Sequence, residues 1–247
     1  EARTNLCLQS NAFTTTWLTL GSPTITQNVV GPDGATSAWT LTDATAADFS
    51  RIYQNITLTA ATHTLSLFVK KAASVVTNCP LMLIAQGANI AAVTMDNYNG
   101  VATVWTSYGG PATVTSSARC SSYNDDYWRF ELTFLATAAA WTCVLYPCAT
   151  SSATQASGVE AAAPQGSAVF YGAQVELGSS ATSYIPTTTA AVTRNADVDQ
   201  YPTTAGPIAA VGAISLDFTP YHAPSGTIAL WGTYVDASNY TAILHDA

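Results

Sequence analysis

The candidates for acid–base chemistry in this sequence are four carboxyl groups: Asp125, Asp126, Glu131 and Glu176. Hydrolysis of a glycosidic bond would require two of them to face each other across a cleft. Asp125 and Asp126 follow an asparagine, in a segment typical of a solvated turn. Glu131 lies in a predicted strand, on the face opposite to its apolar neighbours. The sequence therefore favours a protein that is not an enzyme.

Histidine and cysteine give no metal-binding pattern. The three histidines lack the spacing of metal ligands, and the sequence contains no nucleophile elbow, phosphate-binding loop or dinucleotide fingerprint. The cysteine count is odd and the spacing is irregular, which favours buried free thiols over a disulfide framework. A Cys143–Cys148 bridge across a turn is the alternative. We expect neither a metal nor a cofactor. The residues are His63, His222, His245, Cys7, Cys79, Cys120, Cys143 and Cys148.

Aromatic residues beside loops are the candidates for contact with another molecule. Tyr98, Tyr108 and Tyr123 lie in or next to segments rich in Gly and Asn. An aromatic ring has a flat apolar face, on which a sugar ring can stack. Exposed tyrosines are equally common in subunit interfaces, so both interpretations stay open. Trp128, in contrast, is predicted to belong to the core.

Composition excludes two classes of partner. Only 9% of the 247 residues are charged, the net charge is −8 and the isoelectric point is about 4.5. The only adjacent basic pair is Lys70–Lys71. Nucleic-acid binding requires several basic groups to neutralise phosphates, so that role is excluded. No apolar run is long enough for a membrane helix, so membrane insertion is not expected.

Short apolar runs rich in Val, Ile, Thr, Tyr and Trp alternate with Gly, Pro, Asn and Asp along the chain. This pattern predicts an all-β fold. Residues 63–70 alternate with period two, except that Phe68 is apolar on the polar face, which indicates that this face is partly covered. Strands are predicted at 5–9, 37–41, 50–58, 63–71, 81–85, 92–95, 101–108, 127–134, 141–147, 168–177, 213–218, 227–231 and 242–244.

Two segments of the sequence carry a family resemblance. One is RTNLCLQS at positions 3–10, followed by Trp17 and PDGAT at 32–36; the other is YGAQVELGSSATSYIPTTTAAVTRNAD at 171–197. Together they resemble a module of bacteriophage tail, fibre and other virion proteins. That module is similar to the jelly-roll β-sandwiches that bind carbohydrate in polysaccharide-degrading enzymes. The resemblance therefore implies a jelly-roll β-sandwich.

The resemblance also implies a calcium site that this sequence does not reproduce. Related jelly rolls hold calcium with an acidic residue after an N-terminal Asn-x-x-Phe motif and with aspartates of the last strand. Here Asn11 and Phe13 are followed by Thr14, and the last strand reads AQVE. The anionic oxygens that a hard cation prefers are missing there. Asp33 is instead predicted to form a turn by bonding its own backbone.

The chain is predicted to contain two domains. Residues 1–198 form the carbohydrate-binding-module-like sandwich, 199–211 contain prolines and a glycine typical of a linker, and 212–247 restart a strand pattern. That last segment resembles the opening of a concanavalin-A-like sandwich and is too short to complete one. Tyr221, Trp231 and Tyr234 are its candidate interface residues. Contacts between subunits are expected at 149–167 and 213–247.

The function predicted from these features is that of a non-enzymatic structural protein of a bacteriophage virion. It would serve as a fibre, spike, tail or capsid-decoration subunit, made in the bacterial cytoplasm and present in the virion. Its expected partners are copies of itself, other virion proteins and host-surface polysaccharide. The alternative is a carbohydrate-binding module of a polysaccharide-degrading enzyme.

Overall fold

Where buried and solvent-facing residues alternate along the sequence, the chain forms strands with one buried face. In Arg51–Leu58 every second side chain, from Ile52 to Leu58, is buried, because successive side chains of a strand point to opposite sides of the sheet. Thr62–Lys70 differs, since all residues between its two ends are buried. Leu65 and Leu67 belong to the central core, whereas Phe68 belongs to a separate cluster, so the predicted cover over the Phe68 face is confirmed.

The computed structural model describes residues 2–46, 49–75, 78–105, 114–149 and 164–196, together with the backbone of four further strands at 107–108, 154–155, 228–236 and 239–245. It divides into two compact units, Glu1–Asp197 and Val198–Ala247. The strands of the first unit are β1 (Arg3–Asn5), β2 (Leu18–Leu20), β3 (Thr24–Val29), β4 (Ala38–Asp43), β5 (Arg51–Leu58), β6 (Thr62–Lys70), β7 (Cys79–Gln86), β8 (Asn89–Asp96), β9 (Val101–Val104), β10 (Ser107–Tyr108), β11 (Ser116–Ser122), β12 (Tyr127–Leu135), β13 (Ala139–Ala149), β14 (Thr154–Gln155), β15 (Gly166–Leu177) and β16 (Val192–Arg194).

Two six-stranded antiparallel sheets form the first unit. The first sheet has the order β11-β12-β6-β15-β4-β3 and the second has the order β2-β5-β13-β7-β8-β9. The described residues contain no helix, so the fold is an all-β sandwich, as the sequence predicted. In the second unit, β17 (Ile228–Asp236) pairs with β18 (Asn239–His245) as a hairpin. The predicted strand at 213–218 lies outside the described residues.

The main core lies between the two sheets. Its largest buried side chains include Phe13, Trp141, Phe130, Phe134 and Phe170. A second apolar cluster, which includes Trp105 and Tyr146, lies apart from it. Burying these side chains removes apolar surface from water, which is the dominant favourable term in folding.

Several strands differ from the sequence prediction. The first strand is Arg3–Asn5 rather than 5–9, because the chain turns at Gln9, whose φ is 47°. Strands β2, β3, β11, β14 and β16 were not predicted. β3 and β11 are rich in Thr, Ser and Gln and have few large apolar side chains, so they lack the alternation that marks a half-buried strand.

Candidate functional site

Tyr98 is held on a tightly bonded turn between β8 and β9. Asp96 Oδ1 accepts hydrogen bonds from the backbone N–H groups of Tyr98 and Asn99, at 3.0 and 2.9 Å, and Asp96 Oδ2 accepts one from Asn99 Nδ2 at 2.8 Å. Burial raises the pKa of Asp96, but these hydrogen bonds outweigh it and hold the pKa below its ordinary value. The side chain of Tyr98 is 41% exposed. A rigid turn therefore presents its ring to solvent.

Tyr123 is placed by the turn between β11 and β12. Asn124 Oδ1 accepts hydrogen bonds from the backbone N–H groups of Asp126 and Tyr127, at 3.0 and 2.8 Å. The Tyr123 N–H donates to the Tyr127 carbonyl at 3.0 Å. The Tyr123 ring packs edge-on against Phe68, with 4.8 Å between ring centres, and is 54% exposed. One side of the Tyr123 ring is thus packed against Phe68, and the rest of the ring is accessible to solvent.

Trp128 and Lys71 join the two turns. The Trp128 indole N–H donates to the Asn97 carbonyl at 3.0 Å, and Lys71 Nζ lies 4.3 Å from the centre of the Trp128 ring. The same Nζ donates to the Asn124 carbonyl at 2.7 Å and to Ser122 Oγ at 3.1 Å. Trp128 packs against the core but stays half-buried, rather than fully in the core as predicted, because its indole reaches across to Asn97.

The predicted contact residues are only partly brought together. Tyr98 and Tyr123 lie on turns joined by Lys71 and Trp128, but no ring contact connects them in the part of the chain that the structure describes. Tyr108 lies in β10, and its side chain is outside the described residues.

The predicted interface residues belong to the second unit. Trp231 and Tyr234 lie in β17, with side chains outside the described residues. Tyr221 is outside the described residues altogether.

A cluster of aromatic rings supports Tyr123, and the sequence did not reveal it. Phe68 contacts Tyr123, Tyr171 and Tyr184, and the last two contact each other at 5.4 Å between ring centres. Tyr171 OH donates to Asp33 Oδ2 at 3.3 Å. Burial raises the pKa of Tyr171 to about 12, so the hydroxyl stays protonated. The one feature of the sequence that could have indicated this cluster is the apolar Phe68 on the polar face of β6.

Glu131 and Glu176 hold a segment of backbone over the outer face of the first sheet. We call residues 178–187 the cover segment. Glu131 Oε2 accepts a hydrogen bond from the Ala181 N–H at 3.2 Å, and Glu176 Oε2 accepts one from the Thr182 N–H at 2.9 Å. The Thr182 hydroxyl donates to Glu176 Oε1 at 2.6 Å. Both carboxyl groups are buried.

The side chain of Asn11, which lies where related jelly rolls have their calcium-site motif, forms hydrogen bonds within the fold. Asn11 Oδ1 accepts a hydrogen bond from the Gly172 N–H at 3.2 Å, and its Nδ2 donates to the Ser37 carbonyl at 3.1 Å. Asp33 bonds the Ala35 N–H at 3.1 Å, which confirms its predicted role in a turn. Within the described ranges no group of three or more His, Cys, Asp or Glu side chains could hold a metal ion.

The five cysteines are free thiols, and all except Cys120 are buried, so the predicted free thiols are confirmed and Cys143 and Cys148 are not bridged. Among the described residues there is no helix that is long and apolar enough to cross a membrane.

Comparison with known proteins finds structural similarity to a phage protein. No family model and no curated protein matches this chain. The chain is similar to the crystal structure of the enzymatically active domain of bacteriophage CBA120 tailspike protein 4, with a TM-score of 0.38 and 12% sequence identity. The match covers 70% of this chain and 21% of that structure, so this chain spans about a fifth of its length.

Proposed function

We propose that this protein is a non-enzymatic structural subunit of a bacteriophage virion. It would assemble with copies of itself and with other virion proteins, as part of a fibre, spike, tail or capsid decoration. The supporting observation is that the two segments that carry the sequence resemblance adjoin in the fold. β1 pairs antiparallel with β16, and the Thr187 N–H donates to Ser10 Oγ at 2.9 Å. The resemblance thus involves one continuous structural unit.

The candidate glycan contact of this subunit is the surface around Tyr123 and Tyr98. Tyr123 offers an accessible ring above a packed aromatic cluster, and Tyr98 offers a second ring on a rigid turn. Rigid, partly exposed aromatic rings lose little conformational entropy when a partner binds. We propose that this surface contacts host-surface polysaccharide.

The absence of enzymatic activity is supported by the bonding of the carboxyl groups. Glu131 and Glu176 are buried, and each accepts a hydrogen bond from a backbone N–H of the cover segment, while Glu176 also accepts one from the Thr182 hydroxyl. Asp126 is paired with Lys70 at 3.2 Å on an exposed turn. A glycosidase pair would instead need two carboxyl groups open to substrate on either side of the scissile bond.

Protein composition of purified particles tests the virion role. Mass spectrometry of phage particles banded by density should find this chain at a constant stoichiometry to the capsid protein. Its presence only in the lysate supernatant would favour the alternative, a carbohydrate-binding module of a secreted enzyme.

Binding and hydrolysis are tested on the purified chain. Retardation in gels containing the capsule or lipopolysaccharide of the host should decrease for Tyr123→Ala and Tyr98→Ala. Val101→Ala, at another exposed apolar position, is the control. Reducing ends should not accumulate in the same mixtures. Their release would contradict the non-enzymatic assignment.

A further inference from the structure

One side of the sandwich is built from strands without any charge. Residues 4–32 contain no Asp, Glu, Lys, Arg or His. Both β2 and β3 fall within this range. β3 is the last strand of the first sheet, and β2 is the first strand of the second sheet. At the other ends of the two sheets, β11 and β9 contact each other. The two uncharged edge strands therefore lie on the side opposite to β9 and β11.

These edge strands are exposed. Leu18 and Leu20 of β2 are 53% and 45% exposed, although they are large and apolar. In β3, Thr24, Thr26, Gln27 and Asn28 are exposed. Within the described residues β3 pairs only with β4, so the backbone groups on its other edge have no strand partner there.

Natural proteins usually protect such edges with charges, prolines, bulges or a covering element. β3 has one such device, an irregularity between Gln27 and Val29, which leaves Thr24–Gln27 in regular register with β4. It has no lysine or other charge. A run of Thr, Ile, Thr and Gln favours pairing with another strand, because β-branched residues fit a pleated surface.

We propose that the β3 edge pairs antiparallel with the β3 edge of a second copy of this chain, with Leu18 and Leu20 of both copies flanking the contact. This inference rests on the proposed assembly role and places its interface at the β2 and β3 edges. It differs from the segments 149–167 and 213–247 at which the sequence led us to expect contacts.

Charge distribution supports a second copy as the partner. A two-fold contact brings the same patch of two copies together, so a patch with a net charge of one sign repels its copy. The chain carries a net charge of −8, which makes copies repel each other over most orientations. The uncharged β2 and β3 edges avoid this repulsion. The edge strand on the opposite side, β11, carries a charged residue, Arg119.

Sedimentation velocity of the full chain over the micromolar range is the first test. The wild type should sediment as a dimer or larger species. Thr26→Lys should weaken association by about tenfold or more, because each copy would then bring a positive charge into the contact. Thr103→Lys, on the exposed edge strand β9, is the matched control and should leave association unchanged. Circular dichroism should show that both variants keep the β fold.

Cross-linking locates the contact. A short bis-maleimide should join Thr26→Cys chains into dimers, whereas Thr103→Cys and the wild type should stay monomeric on denaturing gels. An oligomer that survives Thr26→Lys would overturn this interface and leave the proposed virion role intact. A wild type that stays monomeric at all concentrations would overturn self-assembly itself, and the particle composition would then decide the virion role separately.

Discussion

The side-chain Oδ1 of Asn5 accepts a hydrogen bond from the backbone N–H of Val175, at 3.1 Å across 170 positions of sequence. The same oxygen accepts from the Cys7 N–H at 3.0 Å, and Nδ2 donates to the carbonyls of Ala173 and Ile185 at 3.2 and 2.8 Å. Asn5 is fully buried. An amide side chain has two donors and can accept two hydrogen bonds, so this one uses its full capacity. Asn5 thereby joins β1 to β15 and to the cover segment.

Asn5→Ala should lower the free energy of unfolding by about 2–4 kcal/mol, because it leaves buried backbone groups without partners. Urea denaturation followed by fluorescence measures this. Asn28→Ala, which removes an exposed side chain bonded only to Thr40, is the control and should cost less than about 1 kcal/mol. Equal losses for the two variants would show that the Asn5 amide has no special structural role.

Gly100→Ala should destabilise the protein more than Gly87→Ala. Both glycines have positive φ, at 70° and 57°. A Cβ at Gly100 would lie 2.8 Å from the Trp128 ring, whereas nothing lies within 4 Å of one at Gly87. Gly87→Ala therefore measures the backbone cost, about 1 kcal/mol, and Gly100→Ala adds about 1–3 kcal/mol from overpacking. Thermal unfolding should separate them, and a Gly87→Ala variant with the lower midpoint would contradict the contact.

Thr182→Val should loosen the cover segment. It keeps the shape of the side chain but removes the 2.6 Å hydrogen bond to the buried Glu176 carboxyl group. We expect a loss of about 1–3 kcal/mol in unfolding free energy and faster amide exchange in residues 181–185. Thr188→Val, at an exposed position just beyond the segment, is the control. Unchanged exchange in both variants would mean that the Glu176 contact does not hold the segment.

Stability should fall at alkaline pH. Burial raises the pKa of Tyr127 and of Cys120 to about 12, from ordinary values of 10.0 and 9.0. The folded protein therefore holds these protons more tightly than the unfolded chain does. This contribution is complete below about pH 9 and is lost as pH rises towards about 12. Urea midpoints should decrease steadily from about pH 9 to 12, and a constant midpoint over that range would contradict the raised pKa values.

Several strands could be predicted from the sequence because short apolar runs alternate with turn residues along the chain. Val101–Val104, Tyr127–Leu135 and Thr62–Lys70 all lie where the alternation placed strands. The apolar Phe68 on a polar face even indicated a cover. The edge strands β3 and β11 gave no such signal, because they have few large apolar side chains.

The exposed residues of the candidate site could be predicted from the sequence, but the residues that support them could not. Tyr98 and Tyr123 could be selected because Gly and Asn mark turns, and turns are exposed. That Lys71 would reach Trp128, and that Tyr123 would rest on Phe68, depends on which strands become neighbours. The role of Glu131 and Glu176 depends likewise on the path of the cover segment.

The sequence by itself determined the all-β class, the free thiols and the low charge, because each follows from residue type and local period. The pairing of β1 with β16 and the four hydrogen bonds of Asn5 were decided only by the tertiary structure. Apart from the bond between Asn5 and Cys7, these contacts join residues at least 168 positions apart, and no local pattern specifies which distant backbone groups a buried amide will meet. Long-range pairing is selected by the packing of the whole core, since only the complete fold brings distant polar groups to their partners.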